Sequence, residues 1–152
     1  MKFFADEMLG KLARWLRMSG LDVSYRTAIP DPTLLEAARA ESRIVLTRDT
    51  HLVRRLRPGE FLFISFDHLP EQMREFFRAY PSLRFELRPF SRCVECNVPL
   101  QAISKLAVKD RVWAYVYQTQ EHFTFCPGCE RIYWEATHVQ KIREKLRNLC
   151  KE

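Results

Sequence analysis

Four aspartates in the first half of the sequence occupy positions where α/β proteins place reactive groups. Asp6, Asp49 and Asp67 each follow a short apolar run that predicts a buried strand, and Asp31 begins a helical pattern. Carboxylate oxygens are the ligands that Mg²⁺ and Mn²⁺ prefer. Such ions activate water and shield a phosphoryl group during its displacement. If the four acids converge in the fold, they predict a divalent-metal site for phosphoryl chemistry.

A second group of reactive residues lies in the C-terminal part of the chain, where four of the five cysteines form two C-x2-C pairs separated by 29 residues. The four are Cys93, Cys96, Cys126 and Cys129. Two tight turns that each supply two thiolates are typical of tetrahedral zinc sites, and with all four ligands from protein the ion is structural. A set that includes His122 or His138 is the alternative. We expect Cys150 to be a free thiol.

The elements that must position the acids alternate between strand and helix. The predicted strands are Lys2–Ala5, Leu21–Tyr25, Ile44–Leu46 and Phe61–Phe66, with a last one at Ser82–Leu87. The predicted helices are Met8–Met18, Pro32–Glu41, about two turns after Asp49, and Pro70–Tyr80. This alternation predicts an α/β fold with a mainly parallel sheet and helices on both faces. All strand carboxyl ends then meet at one edge, where such sheets bind ligands.

From Pro89 the pattern changes. Val112–Tyr117 and Arg131–Trp134 predict strands that join the cysteine pairs into a zinc ribbon. Val139–Leu149 predicts an amphipathic helix whose outer side is basic. We therefore expect two domains, an α/β domain over residues 1–88 and a zinc ribbon with a C-terminal basic amphipathic helix over residues 89–152.

Each acid also has a simpler explanation. Asp31, Asp49 and Asp67 suit helix N-caps, and Asp6 with Glu7 suits the acidic first turn of a helix. For any single acid this explanation is the stronger one. For the acids as a group, a metal site is the better explanation. Like charges crowded at one edge repel each other, and a bound cation relieves that repulsion.

Composition limits the function classes but does not select one. The formal charge is +6, and residues 1–90 and 91–152 each carry a +3 excess. That excess is compatible with nucleic acid binding and equally with an ordinary basic protein. No apolar run approaches the roughly 18 residues of a membrane span, and acids follow the first residues too soon for a signal peptide. We expect a cytoplasmic protein without a membrane partner.

Several motifs together resemble the Mut-seven C-terminal ribonuclease family. One runs from Asp6 to Arg17 as D-E-M-L-G-K-L-A-R-W-L-R, and another is D-x-x-L-x-x-x-A beginning at Asp31. The others are T-R-D ending at Asp49, the two cysteine pairs and the dipeptide Tyr133-Trp134. The resemblance covers nearly the whole chain. It implies a PIN-like parallel sheet flanked by helices, plus a small C-terminal zinc ribbon.

The resemblance also implies a metal-dependent ribonuclease whose partner is RNA. Carried over by motif, Asp6, Asp31 and Asp49 are the catalytic residues. Glu7 and Asp67 are secondary acidic candidates.

The ligands of the two metals and of the phosphates follow from residue type. We expect Asp6 and Asp49 to bind Mg²⁺ or Mn²⁺, in addition to the structural Zn²⁺ at the cysteines. Arg14 and Arg48 are the candidates for binding RNA phosphates.

Two other functions compete with a ribonuclease. One is a non-catalytic RNA-binding module with a degenerate PIN-like site, in which Trp113, Tyr115, Phe123 or Tyr133 stack on bases unless they form the ribbon core. The other is a phospho-acceptor receiver domain, which needs a lysine after a late strand. Residues 58–90 contain no lysine, which disfavours the receiver domain.

Overall fold

The computed structural model describes residues 1–149, except for the side chains of residues 137 and 138. Cys150 and the side chain of His138, for which roles were considered above, lie outside this part. The sequence begins with an α/β unit built on four strands. They are β1 (Lys2–Ala5), β2 (Asp22–Tyr25), β3 (Ile44–Thr47) and β4 (Phe61–Phe63). All neighbours in the order β2-β1-β3-β4 are parallel. This confirms the predicted α/β fold with a parallel sheet.

Helices cover both faces of this sheet. They are α1 (Gly10–Met18), α2 (Asp31–Ala40), α3 (Thr50–Val53) and α4 (Leu69–Ala79), with 3-10 turns at Glu7–Leu9 and Pro81–Phe85. One apolar cluster packs Phe3 against α1 and α4, and the other packs Phe4 against α2 and Leu52 of α3. Adjacent residues of β1 thus point to opposite faces, as the pleat of a strand requires.

The C-terminal part contains a three-stranded antiparallel sheet in the order β5-β6-β7. Its strands are β5 (Gln101–Ile103), β6 (Phe123–Phe125) and β7 (Ile132–Trp134). A 3-10 turn at Leu106–Val108 and helix α5 (Ala114–Thr119) lie between β5 and β6. The last helix, α6 (Thr137–Leu149), returns to the parallel sheet and places Leu146 and Leu149 in the core cluster beside α4. None of the helices in residues 1–149 is long and apolar enough to cross a membrane.

Two predicted strands are helical in the structure. Pro81–Phe85 forms a 3-10 turn in place of the strand predicted at Ser82–Leu87, because proline favours the first turn of a helix and only Leu83 there is buried. Val112–Tyr117 was also predicted as a strand, but the chain turns into α5 at Ala114. Within residues 1–149 its aromatic and β-branched residues have no neighbouring strand to pair with, and β propensity depends on such a context. The helix after Asp49 is also shorter than predicted, at one turn.

A buried arginine joins the parallel sheet to the first cysteine turn. Arg17 of α1 is 4% exposed. Its Nε donates to the carbonyl of Val23 at 2.7 Å, and its Nη1 donates to the carbonyls of Val94 at 3.0 Å and Glu95 at 2.8 Å. Burial lowers the pKa of this guanidinium from its ordinary value, and the three acceptors compensate the lost water.

The same turn covers the open edge of the sheet at β2. Asn97 accepts a hydrogen bond from the Val23 amide at 3.0 Å and donates to Asp22 Oδ1 at 2.7 Å. Asp22 also accepts from Arg43 Nη1 at 2.6 Å. Asn97 has a φ of +67°, which asparagine tolerates better than most residues. An edge strand that offers unpaired backbone groups is a liability, and here a side chain satisfies one of them.

Replacing Arg17 by methionine should therefore destabilise the whole chain. The substitution keeps an apolar stem but removes the donor for three carbonyls, and we expect a loss of roughly 3 kcal/mol in the free energy of unfolding. Urea denaturation followed by circular dichroism measures it.

Arg14→Met is the matched control, because Arg14 lies on the same helix in an exposed ion pair with Glu95. It should cost less than about 1 kcal/mol. Equal losses in the two variants would show that the buried contacts do not join the two parts.

Candidate functional site

Asp6 and Asp49 lie at one edge of the parallel sheet because their strands are neighbours. Asp6 follows β1 directly, and Asp49 comes two residues after β3. The backbone amide of Asp6 donates to the Leu46 carbonyl at 2.9 Å, so the chain leaves β1 still held to β3. Both side chains are half-buried. The parallel register thus brings acids 43 positions apart in the sequence to the same edge.

The hydroxyl of Thr47 connects these two acids. Thr47 is fully buried. Its Oγ1 donates to Asp6 Oδ2 at 2.6 Å and accepts from the backbone amide of Asp49 at 2.9 Å. Asp49 in turn accepts from the His51 amide at 2.7 Å and is the N-cap of α3, as its simpler explanation predicted. One buried hydroxyl therefore holds both the carboxylate of Asp6 and the backbone of Asp49 at this edge.

Sequence reasoning missed Thr47, although one signal was present. Thr47 is the single hydroxyl residue at the end of the apolar run Ile44–Leu46, and a buried hydroxyl needs hydrogen-bond partners. The run predicts the burial, and therefore predicts that the hydroxyl has partners nearby.

The third predicted catalytic acid, Asp31, lies near a basic side chain. It is the first residue of α2, where Pro30 is the N-cap in its place. Its carboxylate is 3.9 Å from Arg55 Nη1. The sequence therefore predicted correctly that Asp31 lies at the start of a helix. It predicted Asp31 as the N-cap, whereas Asp31 is the first helical residue.

The two secondary acids also have partners of their own. Glu7 Oε1 accepts from the Ala28 amide at 3.4 Å. Asp67 is exposed and forms an ion pair with Arg48, and His68 takes the N-cap of α4. These contacts lie outside the Thr47 bridge, which joins Asp6 and Asp49 alone.

The two arginines predicted to bind phosphate both contact carboxylates. Arg48 pairs with Asp67, as stated above. Arg14 Nη1 is 2.9 Å from Glu95 Oε1 in the first cysteine turn. Each ion pair has an exposed partner, and exposed pairs contribute little to stability. Both guanidiniums therefore have a carboxylate partner in this structure, and neither ion pair is fully buried.

The four cysteines form the one group of three or more metal-binding side chains within 4.8 Å that the described part of the chain contains. The Cys93 and Cys129 sulfurs are 3.6 Å apart, and the Cys96 and Cys126 sulfurs are 3.2 Å apart. Four Zn–S bonds of about 2.3 Å in a tetrahedron place sulfurs about 3.8 Å apart. The cluster therefore fits a zinc ion, and neither His122 nor an acid belongs to it.

The two cysteine turns repeat one backbone pattern. The amide of Cys93 donates to the Val98 carbonyl and the amide of Cys126 to the Arg131 carbonyl, both at 2.9 Å. The residue after each pair has a positive φ, at Asn97 and at Glu130. Two equivalent turns that face each other supply the four sulfurs, as the spacing predicted.

Hydrogen bonds favour a thiolate at one position of the cluster. Burial raises the pKa of the Cys93 thiol, but hydrogen bonds to the Tyr133 hydroxyl and the amides of Cys96 and Glu95 outweigh it and lower the pKa to about 6. Burial and the neighbouring Cys126 sulfur raise the pKa of Cys96 to about 12. A bound cation is what allows four adjacent thiols to lose their protons together.

Comparison with family models shows to which protein family this chain belongs. The model described as the Mut7-C RNAse domain matches residues 1–146, which include both the acidic edge and the four cysteines. The chain belongs to the Mut7-C RNAse domain family. A search of curated proteins and a search of solved structures each found no match. Membership confirms the resemblance found in the motifs and indicates a ribonuclease-type function, with RNA as the substrate class.

In this Mut7-C domain a close approach fixes the segment that carries Asp6 and Glu7. A Cβ atom at Gly10 would lie 2.6 Å from the Tyr25 hydroxyl oxygen. That hydroxyl donates to the Glu7 carbonyl at 3.1 Å. The glycine of the first motif therefore has a packing reason, since it lets Tyr25 of β2 hold the turn that follows Asp6.

Thr47→Val tests the hydroxyl bridge while keeping a β-branched side chain. The Asp49 amide then loses its acceptor, and we expect a cost of about 1–3 kcal/mol in the free energy of unfolding. Amide hydrogen exchange measured by NMR should become faster at Asp49.

Thr47→Ser is the control, because it keeps the hydroxyl and loses one buried methyl group, at a cost of about 1 kcal/mol. Its Asp49 amide should exchange as slowly as in the wild type. Slow exchange in both variants would mean that the bridge does not hold Asp49.

Removing the metal should unfold both parts of the chain in one step. Structural zinc contributes on the order of 10 kcal/mol, which is comparable with the whole stability of a domain. We expect Cys126→Ser to lose bound zinc in elemental analysis and to lower the melting temperature of the entire protein in calorimetry.

Cys150→Ser is the control, since the other four cysteines form the cluster, and it should retain one zinc per chain. A Cys126→Ser protein whose parallel sheet still melts at the wild-type temperature would contradict the coupling through Arg17.

Proposed function

We propose that this chain is a metal-dependent ribonuclease that hydrolyses RNA phosphodiester bonds at the acidic edge of the parallel sheet. The main support is the pair of acids Asp6 and Asp49, because the Thr47 hydroxyl binds the carboxylate of Asp6 and the backbone amide of Asp49 in a chain of the Mut7-C RNAse domain family. We assign catalysis to residues 1–88 and the structural zinc to residues 89–152.

Asp6 and Asp49 would hold Mg²⁺ or Mn²⁺, because carboxylate oxygens suit these hard cations. A divalent cation supplies a water nucleophile and neutralises the charge that builds on the phosphate. In the hydrolysis, an oxygen–phosphorus bond forms from water and the ester bond breaks, leaving one phosphate end and one hydroxyl end. Asp31 is the third catalytic acid in this proposal, and Glu7 and Asp67 are secondary.

Arg14 and Arg48 would bind the phosphates of the RNA. Asp67, the partner of Arg48, has a side chain that is 77% exposed, whereas the Arg48 side chain is 21% exposed. The arginine is therefore the more enclosed member of the pair and the aspartate the more easily displaced one. A phosphate that approaches the edge can take the place of Asp67, with a planar fork of donors already in position.

A cytoplasmic location is part of the proposal. Its support is the use of cysteine, because four thiols that gather as metal ligands are typical of reducing compartments and disulfides of oxidising ones.

The second candidate is a non-catalytic RNA-binding module. One observation favours it: among the side chains that the structure describes, no three acids bring their oxygens within 4.8 Å of one another. Asp31 instead lies near Arg55. Such a module would bind RNA equally well after the acids lose their charge.

Cleavage in Mn²⁺ separates the two candidates. We expect purified protein to cleave single-stranded or structured RNA only with Mn²⁺ or Mg²⁺, and Asp49→Asn to reduce the rate at least about 100-fold, a barrier of roughly 3 kcal/mol. Asparagine is as good an N-cap as aspartate, so the cap on α3 is kept and the charge alone is lost.

Glu36→Gln is the matched control, because Glu36 is an exposed acid on α2 and should leave the rate unchanged. Cleavage that persists in Asp49→Asn, or no metal-dependent cleavage by the wild type, would rule out the proposed reaction.

A further inference from the structure

The segment between β5 and β6 exposes large aromatic side chains. Helix α5 has no buried residue. Trp113, which precedes it, is 81% exposed, and Tyr115 is 74% exposed. Phe123, in contrast, is buried in the ribbon. Trp113 and Tyr115 therefore lie outside the ribbon core. Because their side chains are exposed, they add little hydrophobic stabilisation to the fold.

An open groove of about 690 Å³ lies beside Trp113. One wall is residues 110–113 and the other is residues 130–134. Apolar surface comes from Val112, Trp113, Ile132, Tyr133 and Trp134, and charged surface comes from two arginines and two acids, Arg111, Arg131, Asp110 and Glu130. The groove thus combines flat aromatic surface with charged groups of both signs.

A hydrogen bond between the two walls fixes the groove. Arg111 Nη2 donates to the Glu130 carbonyl at 3.0 Å. The same guanidinium lies 5.5 Å from the centre of the Phe125 ring. Because Arg111 is held at both contacts, the groove is formed before any ligand arrives, and a ligand loses less of its binding energy to ordering.

An excess of positive charge lies between this groove and α1. Arg131 Nη1 is 3.5 Å and Arg14 Nη1 is 2.9 Å from the same oxygen of Glu95. One carboxylate thus lies between two guanidiniums, and the trio keeps a net charge of +1. Lys11 is exposed one helical turn before Arg14, toward the end of α1 that follows the 3-10 turn after Asp6. The charge complements a phosphate backbone that runs from the groove to the acids.

We propose that the groove binds an unpaired base of single-stranded RNA, which stacks on Trp113, while Arg131 and Arg14 bind the phosphates that lead to the acidic edge. The inference rests on the proposed function in taking RNA as the ligand. Aromatic stacking tolerates any base, since every base has a flat face. Duplex RNA hides those faces within its own stack, so it is not a ligand of this groove.

The test measures binding of a fluorescently labelled single-stranded RNA to the full-length, zinc-loaded Asp49→Asn protein, in which we expect cleavage to be at least about 100-fold slower. Trp113→Ala should weaken binding about 10-fold, within the range of one lost stacking contact. Trp113→Phe should restore most of the affinity. Phe85→Ala is the matched control, because Phe85 is a 91% exposed aromatic outside the groove, and it should bind as the parent protein does.

Salt dependence tests the path of the phosphates. Arg131→Gln should reduce the slope of log affinity against log salt concentration by about one phosphate contact, whereas Trp113→Ala should leave that slope unchanged. If the slope of log affinity against log salt concentration is unchanged in Arg131→Gln, Arg131 does not bind an RNA phosphate.

Three results would overturn the proposal: unchanged affinity in Trp113→Ala, an equal loss in Phe85→Ala, or duplex RNA bound as tightly as single strands. Self-association that Trp113→Ala abolishes, with RNA affinity unchanged, would assign the surface to a second copy of the chain and also overturn it. Failure of the proposed function gives a different result, since a protein that never cleaves RNA still shows the Trp113-dependent binding. Conversely, cleavage by the wild type together with Trp113-independent binding rejects the groove alone.

Discussion

The buried guanidinium of Arg17 needs acceptors from both parts of the chain. A charge taken out of water is costly unless hydrogen bonds replace the water, and two of its three acceptors are the carbonyls of Val94 and Glu95 in the first cysteine turn. That turn has its shape because Cys93 and Cys96 face the second pair. The parallel sheet and the first cysteine turn therefore share one buried set of hydrogen bonds, although the two parts differ in architecture.

The same helix links this joint to the acidic edge. Helix α1 carries Arg17 near its end, and the turn before its start carries Asp6 and Glu7. Tyr25 holds that turn from β2, and the neighbouring residues of β2 are held by Asn97. The cysteine cluster thus helps to fix the acids without contributing a ligand to them. The cluster and the acidic edge in this way belong to one unit.

The sequence predicted those features that depend on local pattern and spacing. Alternating periods indicated β1 to β4 in parallel, and the C-x2-C pairs predicted the cluster of Cys93, Cys96, Cys126 and Cys129. Features that depend on contacts between residues far apart in the sequence were not predictable. Residues 112–117 have a strand pattern, but the described part of the chain places no strand beside them. The partners of Arg14 and Arg48 come from segments 81 and 19 positions away, and no local pattern identifies them.

A divalent cation held by Asp6 and Asp49, at the edge that Thr47 shapes, is the basis of the proposed reaction. Anomalous diffraction from crystals of the zinc-loaded protein soaked in Mn²⁺ would show that ion itself. We expect a manganese peak between the carboxylates of Asp6 and Asp49, beside a separate zinc peak at the four cysteines. A map with the zinc peak but no manganese between those two carboxylates would contradict the proposed metal site.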